Sequence, residues 1–157
     1  MRETGVSDNK SESSFSLRAA ALIFKQNKLL VAKSVDYPCY YTVGGAVELN
    51  ESSKEAVIRE VFEETGFTME IDRLAFVQER FLPVEGKKLH EVVFFYIMKT
   101  GGEFTIAENS FTDQPLKETL HWLPLDELYK YNLVPEFLKT KSFDNISGIE
   151  HIISKEY

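Results

Sequence analysis

Five charged residues near the middle of the chain have a spacing that could bind a metal ion. Glu51 is followed by Arg59 and Glu60, and then by Glu63 and Glu64. Residues three and four apart lie on the same side of an α-helix, so the last three glutamates would project together. Like charges at this spacing repel, and a hard divalent cation such as Mg²⁺ takes carboxylate oxygens as ligands. The spacing therefore predicts a magnesium site, with Mn²⁺ as a substitute ion.

One helix would hold these side chains. Ser52 followed by Glu55 matches the capping box that begins helices, and Gly66 stands where a left-handed C-terminal cap is wanted. The segment between them predicts a helix of about four turns. The three glutamates are expected on a face well away from the core. The predicted core-facing stripe comprises Val57, Ile58, Val61, Phe62 and Thr65.

The complete pattern is longer than the acidic cluster. From Gly45 to Phe67 the chain reads G-x5-E-x7-R-E-U-x-E-E-x-G-U, where U is apolar, and every position is filled. Chance would produce this coincidence on the order of once in a billion starts at ordinary residue frequencies. The segment resembles the signature of the Nudix hydrolases, which cleave nucleoside diphosphates linked to another moiety. The later segment WLPLDEL also resembles the closing part of Nudix chains.

The resemblance implies a role for each charged residue of the signature. Glu51 would be a supporting ligand or an orienting carboxylate, with Arg59 as its partner. Val43 stands where many family members have proline, a departure that removes no metal ligand. The implied metal ligands are the Gly44 carbonyl oxygen and the carboxylates of Glu60, Glu63 and Glu64.

The rest of the sequence predicts strands interleaved with helices. Apolar runs at residues 15–24 and 29–33 predict a hairpin, and residues 40–48 predict a strand that enters the glycine turn. Residues 69–81 and 91–99 predict long strands around a loop at 82–90, and residues 92–98 indicate a strand buried on both faces. A short strand at 121–123, helices at 124–128 and 134–139, and an edge strand at 148–157 follow. Together with the resemblance, this order predicts a Nudix-type α/β/α sandwich with a central mixed β-sheet.

Composition limits the class of protein. The chain has 157 residues, 43% of them hydrophobic, which suits one domain; residues 1–14 are polar and predict a disordered tail before a domain at 15–157. A net charge of −7 argues against a nucleic acid polymer or an anionic membrane as partner. The expected partner is a small nucleotide substrate, and a homodimer is left open. Without a signal peptide or membrane-spanning run, the cytoplasm is the expected location.

The expected reaction is hydrolysis of a phosphoanhydride bond. A bound divalent cation would polarise the phosphoryl oxygens and lower the pKa of water. The general base is left open. Glu51, Glu63 and Glu64 are the favoured candidates, within the signature, and Glu118 and His121 are the candidates outside it.

Substrate choice depends on residues outside the signature. Pro83 follows Phe67 by sixteen residues, a spacing common in ADP-ribose-cleaving relatives, which favours ADP-ribose or another nucleotide sugar. Arg80, Lys87 and Lys88 could hold a distal phosphate, although a solvated surface position is the commoner use of such residues. Base recognition is expected to use an aromatic face. The substrate-binding candidates are Arg80, Pro83, Glu118 and His121, and the aromatic candidates are Tyr40, Tyr41, Phe81, Phe111 and Trp122.

Two alternative functions are kept. The first is a pyrophosphohydrolase of (d)NTPs or oxidised nucleotides. The second is a Nudix-fold module that senses a nucleotide without hydrolysing it. The intact carboxylates disfavour the sensing module, because such a module has no need to retain them.

Overall fold

A computed structural model describes residues 13–108, 110–111 and 118–156 of the chain, with backbone only at 110 and 111. The long helix is α1 (Ser53–Thr65), and two short 3₁₀ helices span Leu125–Lys130 and Glu136–Lys139. The described strands are β1 (Ser13–Leu22), β2 (Phe24–Lys25), β3 (Lys28–Ser34), β4 (Tyr40–Ala46), β5 (Ile71–Val84), β6 (Lys87–Met98), β7 (Ser110–Phe111), β8 (Glu118–Pro124), β9 (Leu133–Val134) and β10 (Glu150–Lys155). None of the helices in these ranges combines the length and the apolar character that spanning a bilayer requires.

The strands form one mixed sheet. Their order is β10-β5-β6-β1-β4-β3-β8-β7, with β2 paired to β3 and β9 paired to β4. The β1–β6, β5–β10 and β4–β9 pairs are parallel and the remaining pairs are antiparallel. Strand β6 is central, with Phe95 in one core and Tyr96 in the other. The prediction of a strand buried on both faces is therefore confirmed, as is the predicted mixed sheet.

Helix α1 packs on one face of the sheet, and the two 3₁₀ helices pack on the other. Helix α1 packs against β1 and β4 over a core that includes Ala19, Val43 and Val61. The opposite core includes Leu128 and Leu138, which come from the two 3₁₀ helices. These segments were predicted as helices and are only 3₁₀ turns, because the chain between them returns to the sheet as β9 and leaves too few residues for an α-helix.

The ends of α1 agree with the sequence prediction. The Ser52 side chain accepts a hydrogen bond from the Glu55 backbone N–H, and the Glu55 carboxylate accepts one from the Ser52 N–H, which completes the capping box. Gly66 closes the helix with φ 77°, a left-handed conformation that favours glycine. The helix that carries the acidic cluster is thus delimited by local contacts.

The predicted core face of α1 was wrong in part. Phe62 is 54% exposed, whereas Glu64 is only 6% exposed. The buried residues of the helix are Ala56, Val57, Val61 and Glu64, a face rotated by about one position from the predicted stripe. The reason is tertiary: the helix approaches β4 at a pair of glycines, where a carboxylate can enter.

Removal of the capping serine is expected to loosen this helix. Ser52→Ala should lower the free energy of unfolding by about 1 kcal/mol, because the Glu55 N–H loses its acceptor. For a domain of this size the thermal midpoint should fall by roughly 2–4 °C. Lys54→Ala, at an exposed position of the same helix, is the matched control and should leave the midpoint within 1 °C. Equal midpoints for the parent and Ser52→Ala would show that tertiary packing alone holds the helix end.

Three predicted boundaries need correction. The loop predicted at residues 82–90 does not form: β5 and β6 are joined by a two-residue turn at Glu85 and Gly86, whose φ values of 50° and 78° suit the twist of a hairpin. Pro83 lies in β5, opposite Lys88. The hairpin predicted at 15–24 and 29–33 is limited to β2 and β3, since β1 pairs with β4 and β6. Strand β1 begins at Ser13, inside the predicted tail, and residues 1–12 of that tail lie outside the described residues.

Candidate active site

Two glycines bring strand β4 against its neighbours. A Cβ on Gly44, whose φ is 146°, would stand 2.3 Å from the Ala19 carbonyl oxygen. A Cβ on Gly45 would stand 2.4 Å from the Glu60 carboxylate. The Gly44 N–H donates a hydrogen bond to Glu64 Oε1 at 3.1 Å. Glycine at both positions is therefore what admits two carboxylates of α1 to the sheet.

Arg59 holds the carboxylates that lie nearer the solvent. Its guanidinium donates to both oxygens of Glu51, at 2.8 Å and 2.9 Å, so Arg59 is the partner of Glu51 that the resemblance implied. The same group donates to Glu60 at 2.6 Å and to Glu63 at 3.2 Å, and also to the Ala46 carbonyl oxygen at 3.0 Å. The hydrogen bonds from Arg59 lower the pKa of Glu51 to about 2. Glu51 is thereby kept ionised, and three glutamates are gathered around one cation.

Glu64 is the buried member of the cluster. Burial raises the pKa of its carboxyl well above the ordinary value, the Gly44 N–H opposes this shift, and the negative charges of Glu118 and Glu60 add to it. Its Oε2 atom is buried and has no hydrogen-bond partner in the described part of the chain. A buried carboxyl oxygen without a partner requires an explanation, and a bound ion would supply one.

Glu118 joins this cluster from strand β8. The side chain is 9% exposed, and the Tyr41 hydroxyl donates a hydrogen bond to its Oε1 atom at 2.7 Å. A negative charge on Glu118 adds to the rise in the pKa of Glu64 that burial causes. The structure therefore brings one predicted residue from outside the signature to the acidic centre.

The structure does not place His121 beside Glu64 and Glu118. Side chains of a strand alternate between faces, so Glu118 and His121, three residues apart, lie on opposite sides of β8. The His121 ring contacts Glu108 Oε1 at 2.7 Å and Thr119 Oγ1 at 2.8 Å, and it packs edge-on against Tyr40. Glu108 also accepts a hydrogen bond from the Trp122 N–H. These contacts tie the segment before residue 109 to the sheet.

A cavity of about 170 Å³ opens beside Gly44 on the face of the sheet opposite α1. Arg18, Arg80, Gln78 and Glu91 provide its charged and amide groups. The Glu91 carboxylate is 3.8 Å from Arg18 and 3.7 Å from Arg80, and Arg80 is also held by Glu156 at 2.6 Å. The Gln78 Oε1 atom is buried without a described partner. The predicted substrate residue Arg80 therefore lines this cavity.

Sequence reasoning missed most of this cavity. Pro83 is exposed in the hairpin and is not among the lining residues. Arg18, Gln78 and Glu91 were not singled out, although a polar residue at a core-facing strand position was an available signal. Gln78 and Arg80 are two residues apart and so share a face. Their neighbours across the sheet could not be known without the strand order.

The aromatic residues predicted to recognise a base do not form one cluster in the described residues. Tyr41 directs its hydroxyl to Glu118, and Tyr40 packs against His121 and Tyr131. Phe81 stacks on His90. Trp122 packs in the α1-side core, with its indole N–H donating to the Ile106 carbonyl oxygen. The side chain of Phe111 lies outside the described residues.

The donor set fits a hard divalent cation. Within the described ranges no three acidic, histidine or cysteine side chains converge into a ready metal cluster, and Arg59 occupies oxygens of Glu60 and Glu63. The unpartnered Glu64 Oε2 and these carboxylates are all oxygen donors, which Mg²⁺ and Mn²⁺ prefer. The chemistry of the donor atoms therefore fits such an ion, although these carboxylates do not converge on one point in the described residues.

Comparison with known proteins agrees with this architecture. The NUDIX domain model matches residues 15–141. An ADP-ribose pyrophosphatase from Methanocaldococcus jannaschii is 32% identical over 93 residues, which are 57% of this chain and 54% of that protein. The chain thus spans about half the length of this curated relative.

Two solved structures illustrate the similarity in fold. The MutT protein from Bacillus halodurans superposes with a TM-score of 0.67 at 18% identity, covering 90% of this chain and 91% of that chain. The MutT NUDIX hydrolase from Burkholderia pseudomallei has a TM-score of 0.56 at 27% identity, covering 72% of this chain and 85% of that chain. The similarity to the Bacillus halodurans protein concerns the fold alone. Both similarities support an α/β fold with a mixed sheet.

Proposed function

The chain belongs to the Nudix family, and we propose that it is a metal-dependent pyrophosphohydrolase of a nucleoside diphosphate linked to another moiety. The observation that carries this proposal is the buried Glu64, whose Oε2 atom lacks a partner beside Glu60 and Glu118. Buried carboxylates are costly unless a cation or hydrogen bonds compensate them. A centre of this composition is suited to a divalent ion and a polyphosphate substrate.

Each residue of the signature has a part in this proposal. Glu60, Glu63 and Glu64, with the Gly44 carbonyl oxygen, would hold the ion. When bound, Mg²⁺ or Mn²⁺ supplies Lewis-acid stabilisation of charge on the phosphoryl oxygens. Arg59 orients Glu51 through two hydrogen bonds and keeps the rotamers of its neighbours defined. The glycine pair supplies the space in which these groups meet.

The candidates for general base can be narrowed. Glu51 is poorly suited to accept a proton because Arg59 lowers its pKa to about 2. His121 lies on the other face of β8, with Glu108 and Thr119 as its contacts. Glu63, Glu64 and Glu118 are the groups from which we expect the base to come.

ADP-ribose or another nucleotide sugar is the favoured substrate class. Support comes from the similarity to the archaeal ADP-ribose pyrophosphatase and from the spacing of Pro83 after the signature. Hydrolysis of (d)NTPs or oxidised nucleotides is the second candidate, supported by the likeness to a MutT hydrolase. A panel of ADP-ribose, nucleotide sugars, dinucleoside polyphosphates, dNTPs and oxidised dGTP, assayed with and without Mg²⁺, would distinguish them. The absence of turnover with every compound would overturn the proposed function.

Substrate discrimination is expected to depend on Arg80. The earlier prediction attributed discrimination to Pro83 in a loop, but Pro83 lies in β5 and Arg80 lines the cavity. If the cavity takes the group beyond the diphosphate, Arg80→Ala should raise KM by about tenfold for one substrate class and less for the other, because a charge-assisted hydrogen bond is lost. kcat/KM for ADP-ribose and for a nucleoside triphosphate measures this difference.

Two control variants separate binding from structure. Glu156→Gln weakens the ion pair between Arg80 and Glu156 but keeps Arg80, so the KM of this variant should stay within about twofold of the parent value. Pro83→Ala, on the same strand, should affect both substrates by one common factor. If Glu156→Gln reproduces the effect of Arg80→Ala, Arg80 has a structural role. If Pro83→Ala alone changes the preference, the original Pro83 hypothesis holds.

A further inference from the structure

We propose that Tyr41 is a positioning residue of this hydrolase, which holds the Glu118 carboxylate beside Glu64. The inference rests on the proposed function and adds a residue outside the signature to it. Tyr41 belongs to β4, three residues before Gly44, and Glu118 is the first residue of β8. Their side chains meet through one hydrogen bond of 2.7 Å.

The contact crosses an entire strand. Strand β3 lies between β4 and β8, where Tyr41 pairs with Ala32 and Ala32 pairs with Leu120. The tyrosine must therefore reach past β3 to bind Glu118. A small residue at position 32 leaves space for the ring, which packs against the α1-side core that also contains Ala32. The length of the Tyr41 side chain and the small size of Ala32 together allow the hydrogen bond between Tyr41 and Glu118.

The Glu118 carboxylate needs a hydrogen-bond donor to stay at its buried position. Glu118 is almost fully buried, and in the described part of the chain it has no ion pair. Glu64 is also buried, and a negative charge on Glu118 helps to raise its pKa, so the two ionised carboxylates would repel. Without a donor, Glu118 would be expected to turn away from Glu64 toward water. The Tyr41 hydroxyl is the hydrogen-bond donor that the structure provides for it.

The donor is suited to this task. Burial and the hydrogen bond to Glu118 raise the pKa of Tyr41 above its ordinary value of 10.0. The hydroxyl therefore stays protonated throughout the physiological range and continues to donate. It binds only Oε1, and no described hydrogen bond engages Glu118 Oε2. Tyr41 thus fixes one oxygen of Glu118 and leaves the other for the acidic centre.

The test is the removal of a single hydroxyl group. Tyr41→Phe should lower kcat by about tenfold and leave KM for the substrate within about twofold, because it removes the hydroxyl bound to Glu118 and leaves the rest of Tyr41, a lining residue of the cavity beside Gly44, in place. Mn²⁺ binding, measured by calorimetry without substrate, should weaken by a similar factor of about ten. Circular dichroism and thermal unfolding establish that each variant is folded.

A double-mutant cycle separates positioning from independent effects. Glu118→Gln can still accept the tyrosine hydrogen bond but lacks the charge, and it should lose at least as much activity as Tyr41→Phe. The double variant should be no worse than Glu118→Gln alone, because Tyr41 acts only through Glu118. Multiplicative losses would overturn the inference. Normal activity of Glu118→Gln would overturn it as well.

A matched tyrosine controls for packing. Tyr96 is 3% exposed, and its hydroxyl is 2.7 Å from Ser53 Oγ, so Tyr96→Phe removes a comparable buried hydrogen bond away from the carboxylates. It should lower the thermal midpoint but keep kcat and Mn²⁺ affinity within about twofold. Equal kinetics for Tyr41→Phe and Tyr96→Phe would show a merely structural role. If the parent protein hydrolyses its substrate and Tyr41→Phe is equally active, this inference alone is refuted. If the parent protein hydrolyses no substrate, the proposed function is refuted too.

Discussion

Substrate hydrolysis by this protein is expected to stop when divalent cations are chelated and to return when Mg²⁺ or Mn²⁺ is restored. Glu60 and Glu64 reach the sheet at the Gly44–Gly45 turn, and the buried Glu64 Oε2 atom has no described partner. Without a cation, a polyphosphate would approach a strongly negative site. The loss of rate should be about a thousandfold or more, which corresponds to several kcal/mol of charge stabilisation.

The measurement is turnover of the best substrate in EDTA and after Mg²⁺ is added in excess. EDTA already saturated with Mg²⁺ is the control, because it contains the chelator but cannot remove the ion. Thermal unfolding in EDTA should remain cooperative, since apolar packing holds the two cores and hydrogen bonds of the capping box hold the start of α1. Full turnover in free EDTA would contradict the central proposal.

Glu64→Gln is expected to separate activity from stability. The substitution is nearly isosteric and lets the Gly44 N–H keep an oxygen acceptor. It should lower kcat by about two to four orders of magnitude, because a negative ligand of the ion is lost. The thermal midpoint of the metal-free protein should be unchanged or higher, since burying a neutral amide costs less than burying a carboxylate beside Glu118 and Glu60.

The pH dependence of stability gives a second measurement on this variant. The pKa of Glu64 in the folded protein is raised well above 4.5, so the folded state binds more protons than the unfolded state as pH rises past this value. Wild-type stability should therefore fall with increasing pH across the interval between the two pKa values, and Glu64→Gln should lack this component. Unfolding of both proteins at several pH values, without metal, measures the difference.

A distant glutamate provides the control. Glu70→Gln lies on the surface, where Glu70 pairs with Lys99, and it should keep kcat within about twofold. Near-normal activity of Glu64→Gln would show that the essential ion is held elsewhere. Parallel pH curves for wild type and Glu64→Gln would show that Glu64 has an ordinary pKa.

Local geometry explains what could be predicted. Capping of α1 by Ser52 and Gly66 needs only residues within one turn of the helix ends. The central position of β6 also follows from the apolar run at residues 92–98, which must be buried on both faces. These features depend on neighbours in sequence or on simple periodicity.

Predictions failed where several elements compete for one position. Phe62 was assigned to the core because it is apolar, yet the glycine pair of β4 lets Glu64 occupy the buried side. The loop at residues 82–90 was inferred from Pro83 and Gly86, but strand pairing continues to a two-residue turn. In both cases tertiary contacts outweighed local preference.

The sequence alone determined which carboxylates are the candidate metal ligands, because the spacing of Glu60, Glu63 and Glu64 on a capped helix is a property of adjacent turns. Only the tertiary structure decided which carboxylates are buried together. Tyr41 and Glu118 are 77 residues apart, and their hydrogen bond exists because β3 is inserted between β4 and β8 in the sheet. No local pattern encodes that order, since it results from burying all strands at once.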